Sequence, residues 1–345
     1  MTKIGQFFLE KPVHSPDCLK EENKDDIIVI VASMYYQEIS KQLNAMGFVA
    51  EKHYWNGMIL YEIITREKVK EKQFIKLEYP VNPDYRYGYD KPPHIQLYNI
   101  INEKRNGFKE LLLKFLQYKE DLLQIKVNEN CIIDEFRKEP FWDNIYMSGL
   151  LDTISLYSFI RINKPDKYME IGSGNSTKFA YKAIRDGCLQ TKIISIDPYP
   201  RDEIDEICNE VYRQPVEELD IEVFNQLESG DILFVDNSHR CFTNSDVTVF
   251  FLEILPKLKK GVIVGIHDIY LPYDYPDVWR DRFYSEQYLL ACYILSGCTM
   301  FDIMLSNSFV TEDDELLVIL DSIWNDMDKL FLSKKRGSCI WLKIK

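Results

Sequence analysis

KYMEIGSGNSTKFA, residues 167–180, is the stretch from which the rest of the chain can be read. A short apolar run (Tyr168, Met169, Ile171) ends in two glycines one residue apart, Gly172 and Gly174. Small polar residues then lead into a segment with helical spacing, STKFAYKAIRDG, which Gly187 ends. Such glycines mark a chain that turns sharply after a strand and opens its backbone to a large ligand.

Working outward, strands and helices alternate. DTISLYSFIRI (152–162) predicts a helix, KIISIDP (192–198) a second strand, EVYRQP (210–215) a third and DILFVDNSH (231–239) a fourth. SDVTVFFLEILPKL (245–258) predicts a helix, GVIVGIHDI (261–269) a fifth strand and SEQYLLACYILSG (285–297) a further helix. FDIMLSN (301–307) and GSCIWLKIK (337–345) predict two terminal strands. Near-continuous apolar strands alternating with helices specify an α/β fold: a doubly wound, Rossmann-like parallel sheet covered on both faces.

Upstream, DDIIVIVASMYYQEISKQLNAMGF (25–48) predicts a buried strand and an amphipathic helix, followed by an apolar piece, GMILYEII (57–64). Residues 65–93 carry the Pro- and Tyr-rich EYPVNPDYRYGYDKPPH and predict an extended tether. Apolar spacing from 94 to 127 predicts helices with a break near Asn106-Gly107. The expected organisation is a small N-terminal α/β unit and tether (1–92), a helical connector (93–142) and the main domain (143–345). The N-terminal unit has two open roles, a structural or substrate-presenting one and dimerisation into a homo-oligomer.

Composition narrows the function classes. Hydrophobic content of 46% with 28% charged residues belongs to a globular chain. No apolar run reaches membrane-spanning length, and MTKIGQFFLEKPVH lacks the pattern of a signal peptide. Eight scattered cysteines without CxxC spacing fit free thiols in a cytoplasmic protein. A net charge of −13 repels phosphate backbones and argues against a nucleic-acid partner.

The second strand ends at Asp197, 23 residues past Gly174. A carboxylate there suits a ribose diol. The nicotinamide fingerprint GxGxxG is incomplete, because Thr177 stands at its third glycine. Glu170, two residues before Gly172, is awkward beside pyrophosphate but suits a sulfonium and an amino group. The pattern resembles the ExGxGxS form of the S-adenosyl-L-methionine motif in class I methyltransferases. Glu170, Gly172, Ser173, Gly174, Asn175, Ser176 and Asp197 are the cofactor-binding candidates, and Gln214 and Glu217 are adenine neighbours by position.

FVDNSHR (234–240) places Asp236 and His239 at the end of the fourth strand, and GIHDIYLPYDYP (265–276) places His267 and Asp268 at the end of the fifth. A histidine near its ordinary pKa can take the proton of an attacking hydroxyl. A divalent metal held by Asp236, His267 and Asp268 would instead lower the pKa of acceptor oxygens. This mixed donor set admits Mg²⁺, Mn²⁺ or Fe²⁺. Tyr270 and Tyr273, in the aromatic segment 270–288, are read as an acceptor-facing lid, with Trp142, Asp143 and Asn144 across the pocket.

EPFWDN, EIGSGNSTKFA, SIDPYPR, RQPVEEL, GDILFVDNSHR, FFLEILPKLKKGV, HDIYLPYDYP and FYSEQYLL together resemble class I methyltransferases of the Methyltransf_24 type, found among bacterial tailoring enzymes for sugars and secondary metabolites. The resemblance covers about residues 139–310 and implies O-methylation of a small-molecule or glycan hydroxyl. It places Asp236 as first metal ligand and also beside the cofactor, His239 as base, and His267 with Asp268 where the family has an acidic pair. His267 departs from that pattern, which puts metal binding in question. The alternatives weighed are a nicotinamide-dependent oxidoreductase on a nucleotide sugar, disfavoured by the incomplete GxGxxG and the absence of a YxxxK pair near the pocket, and a non-catalytic binding protein of the same fold.

Overall fold

In the computed structural model, KYMEI forms strand β1 (Lys167–Ile171), and four of its five residues are buried. The structure describes residues 7–8, 11–12, 16–20, 23–24, 27–31, 36–50, 52–56, 81, 84–127, 138–142, 149–200, 204–329 and 336–345. The chain folds as two units, Met1–Val81 and Asn82–Lys345. In the first, strands Val29–Val31 and Tyr54–Asn56 pair in parallel across helix Tyr36–Ala45. Val31, Leu43, Phe48 and Tyr54 form its core. GMILYEII lies outside the described residues.

The second unit is built on seven strands: β1, β2 (Lys192–Ile196), β3 (Glu210–Tyr212), β4 (Ile232–Val235), β5 (Ile263–Ile266), β6 (Phe301–Ser306) and β7 (Ile340–Ile344). Their order is β6–β7–β5–β4–β1–β2–β3. From β1 the chain winds outward through β2 and β3, then returns to build β4 on β1's other side. The crevice beyond the carboxyl ends of β1 and β4 is the switch point where such sheets hold ligands.

The sheet is mixed, and here the parallel expectation is corrected. β7 runs antiparallel to both β5 and β6. A strand buried on both faces is apolar along its whole length whichever way it runs, so the sequence pattern carries no direction. The reversal matters for the site, because β7 begins at the edge where β4 and β5 end.

Helix α1 (Leu150–Asn163) is buried around its full circumference from Leu150 to Ile160, as its lack of a polar face requires. Phe159 on this helix stacks on Trp341 of β7 at 4.1 Å. Helix α2 (Asn175–Asp186) follows the glycine turn and packs on α1. The helices at Ile95–Asn102 and Arg105–Phe115 bury Leu97, Ile101, Phe108, Leu112 and Phe115 in the same core as β1. Each such side chain contributes about 1.5–3 kcal/mol, so these helices are built into the second unit. SDVTVFFLEILPKL is helical between its capping residues Ser245 and Leu258 but changes pitch, from an α turn (Asp246–Val249) through a π turn (Phe250–Ile254) to a 3-10 turn (Leu255–Lys257) containing Pro256.

Candidate active site

The turn after β1 is held from three sides. Gly172 has φ +79°, and a Cβ there would lie 1.9 Å from the carbonyl oxygen of Asp236, so glycine is needed for backbone conformation and for closeness to β4 alike. Asp197, at the end of β2, accepts from Ser173 N–H at 2.8 Å and from Tyr199 N–H at 2.7 Å. Each carboxylate oxygen retains lone-pair capacity for a further donor. The Ser173 hydroxyl meets the Ser195 hydroxyl at 2.8 Å.

Gly174 differs from Gly172. It is buried, yet a Cβ there would meet nothing within 4 Å, so the turn borders unfilled space. Glu170 is wholly buried, and its Oε2 accepts from the Thr177 hydroxyl in the first turn of α2. Burial pushes its carboxyl up to about 8, against hydrogen bonds from Ser176 and Thr177 that pull it down. Its Oε1 has no hydrogen-bond partner. Asn175 is committed to structure, because its amide donates to Phe141 O at 2.9 Å and accepts from Phe141 N–H at 3.3 Å.

Beside this turn, β4 and β5 bring two acids and two imidazoles together. His239 Nε2 lies 3.5 Å from Asp236 Oδ1 and 3.3 Å from Asp268 Oδ2. His267 Nδ1 lies 3.3 Å from Asp236 Oδ1 and 3.5 Å from Asp268 Oδ1. Asp236 is the accessible member, with 34% of its side chain exposed against 8% for His239 and 9% for Asp268. His239 (φ +60°) and Asp268 (φ +58°) both hold left-handed backbone conformations. Such conformations cost on the order of 1 kcal/mol each in non-glycine residues and persist where the surroundings enforce them.

Two further acids enter from elements distant in sequence. Asp152, in the first turn of α1, places Oδ2 3.4 Å from His267 Nε2. It also accepts from the N–H groups of Ser338 and Cys339 (2.7–2.9 Å) and from the Asn307 amide (2.8 Å). Glu286, the first residue of helix α3 (Glu286–Leu295), places Oε2 3.3 Å from His239 Nδ1. Ser338, just before β7, donates its hydroxyl to Asp268 Oδ1 at 3.1 Å.

Four carboxylates therefore surround two imidazoles, and no Lys or Arg joins the cluster among the described residues. Burial lowers both imidazoles' affinity for a proton, but the acids outweigh it. Glu286, Asp236 and Asp268 carry His239 well above its ordinary value, and Asp268, Asp236 and Asp152 do the same for His267. Asp236 is driven down by His267 and His239, against burial that raises it. Acids in excess favour an incoming cation. Asp236, His267 and Asp268 each offer one ligand atom, all within 4.8 Å of one another, and both His267 nitrogens lack a hydrogen bond. That donor set fits a divalent ion.

Aromatic rings wall the site. Tyr284 lies 4.7 Å from the His239 ring, Trp279 lies 5.4 Å from Tyr284, and Tyr270 lies 5.5 Å from Trp279. The wall is pinned from behind: Tyr85 donates its hydroxyl to Pro276 O at 3.2 Å, and His94 N–H donates to Pro272 O at 3.0 Å. Tyr273 packs toward Gly88 within this brace. Trp142 is buried against Phe179 at 5.1 Å, and its indole N–H donates to Leu122 O. Asp143 and Asn144 lie outside the described residues.

Residues 169–269, from within β1 to just past β5, match the Methyltransf_24 family, a methyltransferase domain. The chain carries a methyltransferase domain. The matched stretch holds Glu170, the glycine turn, Asp197, Asp236, His239, His267 and Asp268. A comparison with curated proteins finds no match. Among solved structures, a SAH-bound methyltransferase of Podospora anserina is 17% identical, over 58% of this chain and 80% of its own, with a TM-score of 0.37. The plantazolicin methyltransferase BpumL, in complex with a monoazolic desmethylPZN analog and SAH, is 14% identical over 71% of this chain and 98% of its own (TM-score 0.39). An O-methyltransferase from Bacillus cereus, in complex with SAH, is 11% identical over 73% and 96% (TM-score 0.32). Likeness at that level decides nothing about what this methyltransferase domain acts on. No helix among the described residues is long and apolar enough to cross a membrane.

Asp152, Glu286 and Ser338 are the members that the sequence pattern did not single out. The first two did leave a trace, each being an acid in a helix that is otherwise apolar on nearly every side. Ser338 left none, because only the reversed direction of β7 brings it to this edge.

Proposed function

We propose that the chain is an S-adenosylmethionine-dependent O-methyltransferase acting on a hydroxyl of a sugar, glycan or secondary metabolite. The single observation that carries this reading is the convergence of Asp236, His239, His267 and Asp268 on the sheet edge where Gly174 borders unfilled space. The turn fits the cofactor. Asp197 has acceptor capacity left for the ribose hydroxyls, Gly174 leaves the backbone uncovered, and Asp236 lies alongside as a half-buried acid. When bound, S-adenosylmethionine supplies an electrophilic methyl group on a sulfonium.

The protein's own part is positioning and proton handling. His239 Nε2 is the atom that takes the acceptor hydroxyl's proton. Asp236 and Asp268 orient the acceptor's oxygens, either directly or, with His267, through a divalent metal that would lower the pKa of those oxygens. The pinned wall of Tyr270, Trp279 and Tyr284 presents ring faces to the acceptor and excludes water from the base.

Calorimetry with S-adenosylhomocysteine and with NAD tests the reading. The homocysteine product is expected to bind and NAD to give no heat; the reverse result overturns it.

A further inference from the structure

His239 and His267 are disposed alike about Asp236 and Asp268. Each turns one ring nitrogen to that shared acid pair and the other to an acid of its own. For His239 the private acid is Glu286, which is wholly buried. We propose that Glu286 is a positioning residue that binds the Nδ1–H of His239 and thereby holds Nε2 toward the reacting side of the site. The inference rests on the reading of His239 as the proton acceptor.

Three observations support it. Removing a carboxylate from water is costly unless a partner compensates, and among the described residues the side chain bonded to the Glu286 carboxylate is that of His239. Its second oxygen, Oε1, is buried without any hydrogen bond. The backbone repeats the attachment, since the N–H groups of Ser285 (2.8 Å) and Glu286 (3.3 Å) both donate to the carbonyl oxygen of His239. The Ser285 hydroxyl also accepts from Cys241 N–H at 2.9 Å, so the start of α3 grips the His239 segment on both sides. That grip falls on a residue with φ +60°, a conformation that an unsupported histidine rarely keeps.

Other roles suit Glu286 less well. An acid in the first turn of a helix can cap its free N–H groups, but the carboxylate of Glu286 bonds to none of them. Complete burial also removes it from direct contact with cofactor or acceptor. What remains is fixing the ring: with Nδ1–H bound to a carboxylate, the imidazole keeps one orientation and presents Nε2 to Asp236 and Asp268.

The test needs no acceptor. The full chain, labelled with ¹⁵N-histidine, is examined by long-range nitrogen–proton NMR, and His239 is assigned by the signals that vanish in His239→Gln. A slowly exchanging proton on His239 Nδ1 is expected in the wild type. It should shift in Glu286→Gln, which keeps the shape but loses the charge, and be lost in Glu286→Ala, while the His267 signals stay in place and report an intact site. An unprotonated Nδ1 in the wild type overturns the proposal, and so does a His239 signal that Glu286→Gln leaves unmoved. Calorimetry with S-adenosylhomocysteine runs alongside, with equal affinity expected for wild type and both variants. Failure of the wild type to bind would sink the methyltransferase reading and leave the His239–Glu286 pairing standing.

Discussion

Gly172 and Asp236 occupy each other's space: the point where a Cβ of residue 172 would stand is 1.9 Å from the carbonyl oxygen of Asp236. Asp236 N–H donates to Ile171 O at 2.8 Å, so the turn after β1 and the acid after β4 are joined by a hydrogen bond and by contact. The glycine turn and the acid–imidazole cluster are therefore joined directly, as one unit.

Gly172→Ala should break that unit. The new methyl group meets backbone rather than a flexible side chain, and φ +79° disfavours any Cβ. Strain and overpacking each cost on the order of 1–3 kcal/mol. A fall of several degrees in melting temperature and weaker binding of S-adenosylhomocysteine are expected. Unchanged melting and affinity would show that the turn relaxes freely.

Asp197→Ala should weaken S-adenosylhomocysteine binding by about 10- to 100-fold in calorimetry, the range for losing charged hydrogen bonds to a diol. Because Asp197 also holds Ser173 and Tyr199 N–H, Asp197→Asn is the companion variant. It keeps an acceptor for one of them and should bind more tightly than the alanine variant.

Glu170 predicts a pH dependence of stability. Its carboxyl is raised from an ordinary 4.5 to about 8, so the folded chain holds this proton more tightly than the unfolded chain. The resulting stabilisation is fully present below pH ~4.5 and is lost as the pH rises through about 8, a change on the order of a few kcal/mol. Urea titrations of wild type and Glu170→Gln between pH 5 and 9 should diverge, with the glutamine variant gaining relative to wild type at the alkaline end. Parallel curves would mean that Glu170 is ionised throughout.

Mn²⁺ should raise the melting temperature of the wild type in proportion to the logarithm of its concentration, and EDTA should reverse the shift. Asp268→Asn and His267→Ala each remove a donor from the set converging with Asp236 and should abolish the shift. A wild type indifferent to Mn²⁺ and Mg²⁺ would leave Asp236 and Asp268 as direct partners of the acceptor.

His239→Ala should keep its affinity for S-adenosylhomocysteine. It should lose at least 100-fold in transfer of labelled methyl from S-adenosylmethionine into extract molecules, the scale of a lost general base. Undiminished transfer would move the base elsewhere.

Much of this was legible in residue order. The apolar strand ending at Gly172, the acid at the end of β2, and the Asp–His pairs ending β4 and β5 lie within a few residues of strand ends, and sheets of this kind place strand ends on one edge. Less legible was which role each residue has. Gly172 and Gly174 read alike in sequence, yet one abuts Asp236 and the other borders open space.

Sequence alone determined the strand–helix alternation, the turn and the residues that could carry chemistry, because periodicity and backbone permissiveness are local properties. Tertiary structure alone decided that β7 runs backward, that Ser338 thereby reaches Asp268, and that Asp152 and Glu286 each take one imidazole. Those are contacts between residues 47 to 115 positions apart. Such pairings follow from how the helices and β7 pack against the sheet, and nothing in the spacing of a single chain encodes that directly.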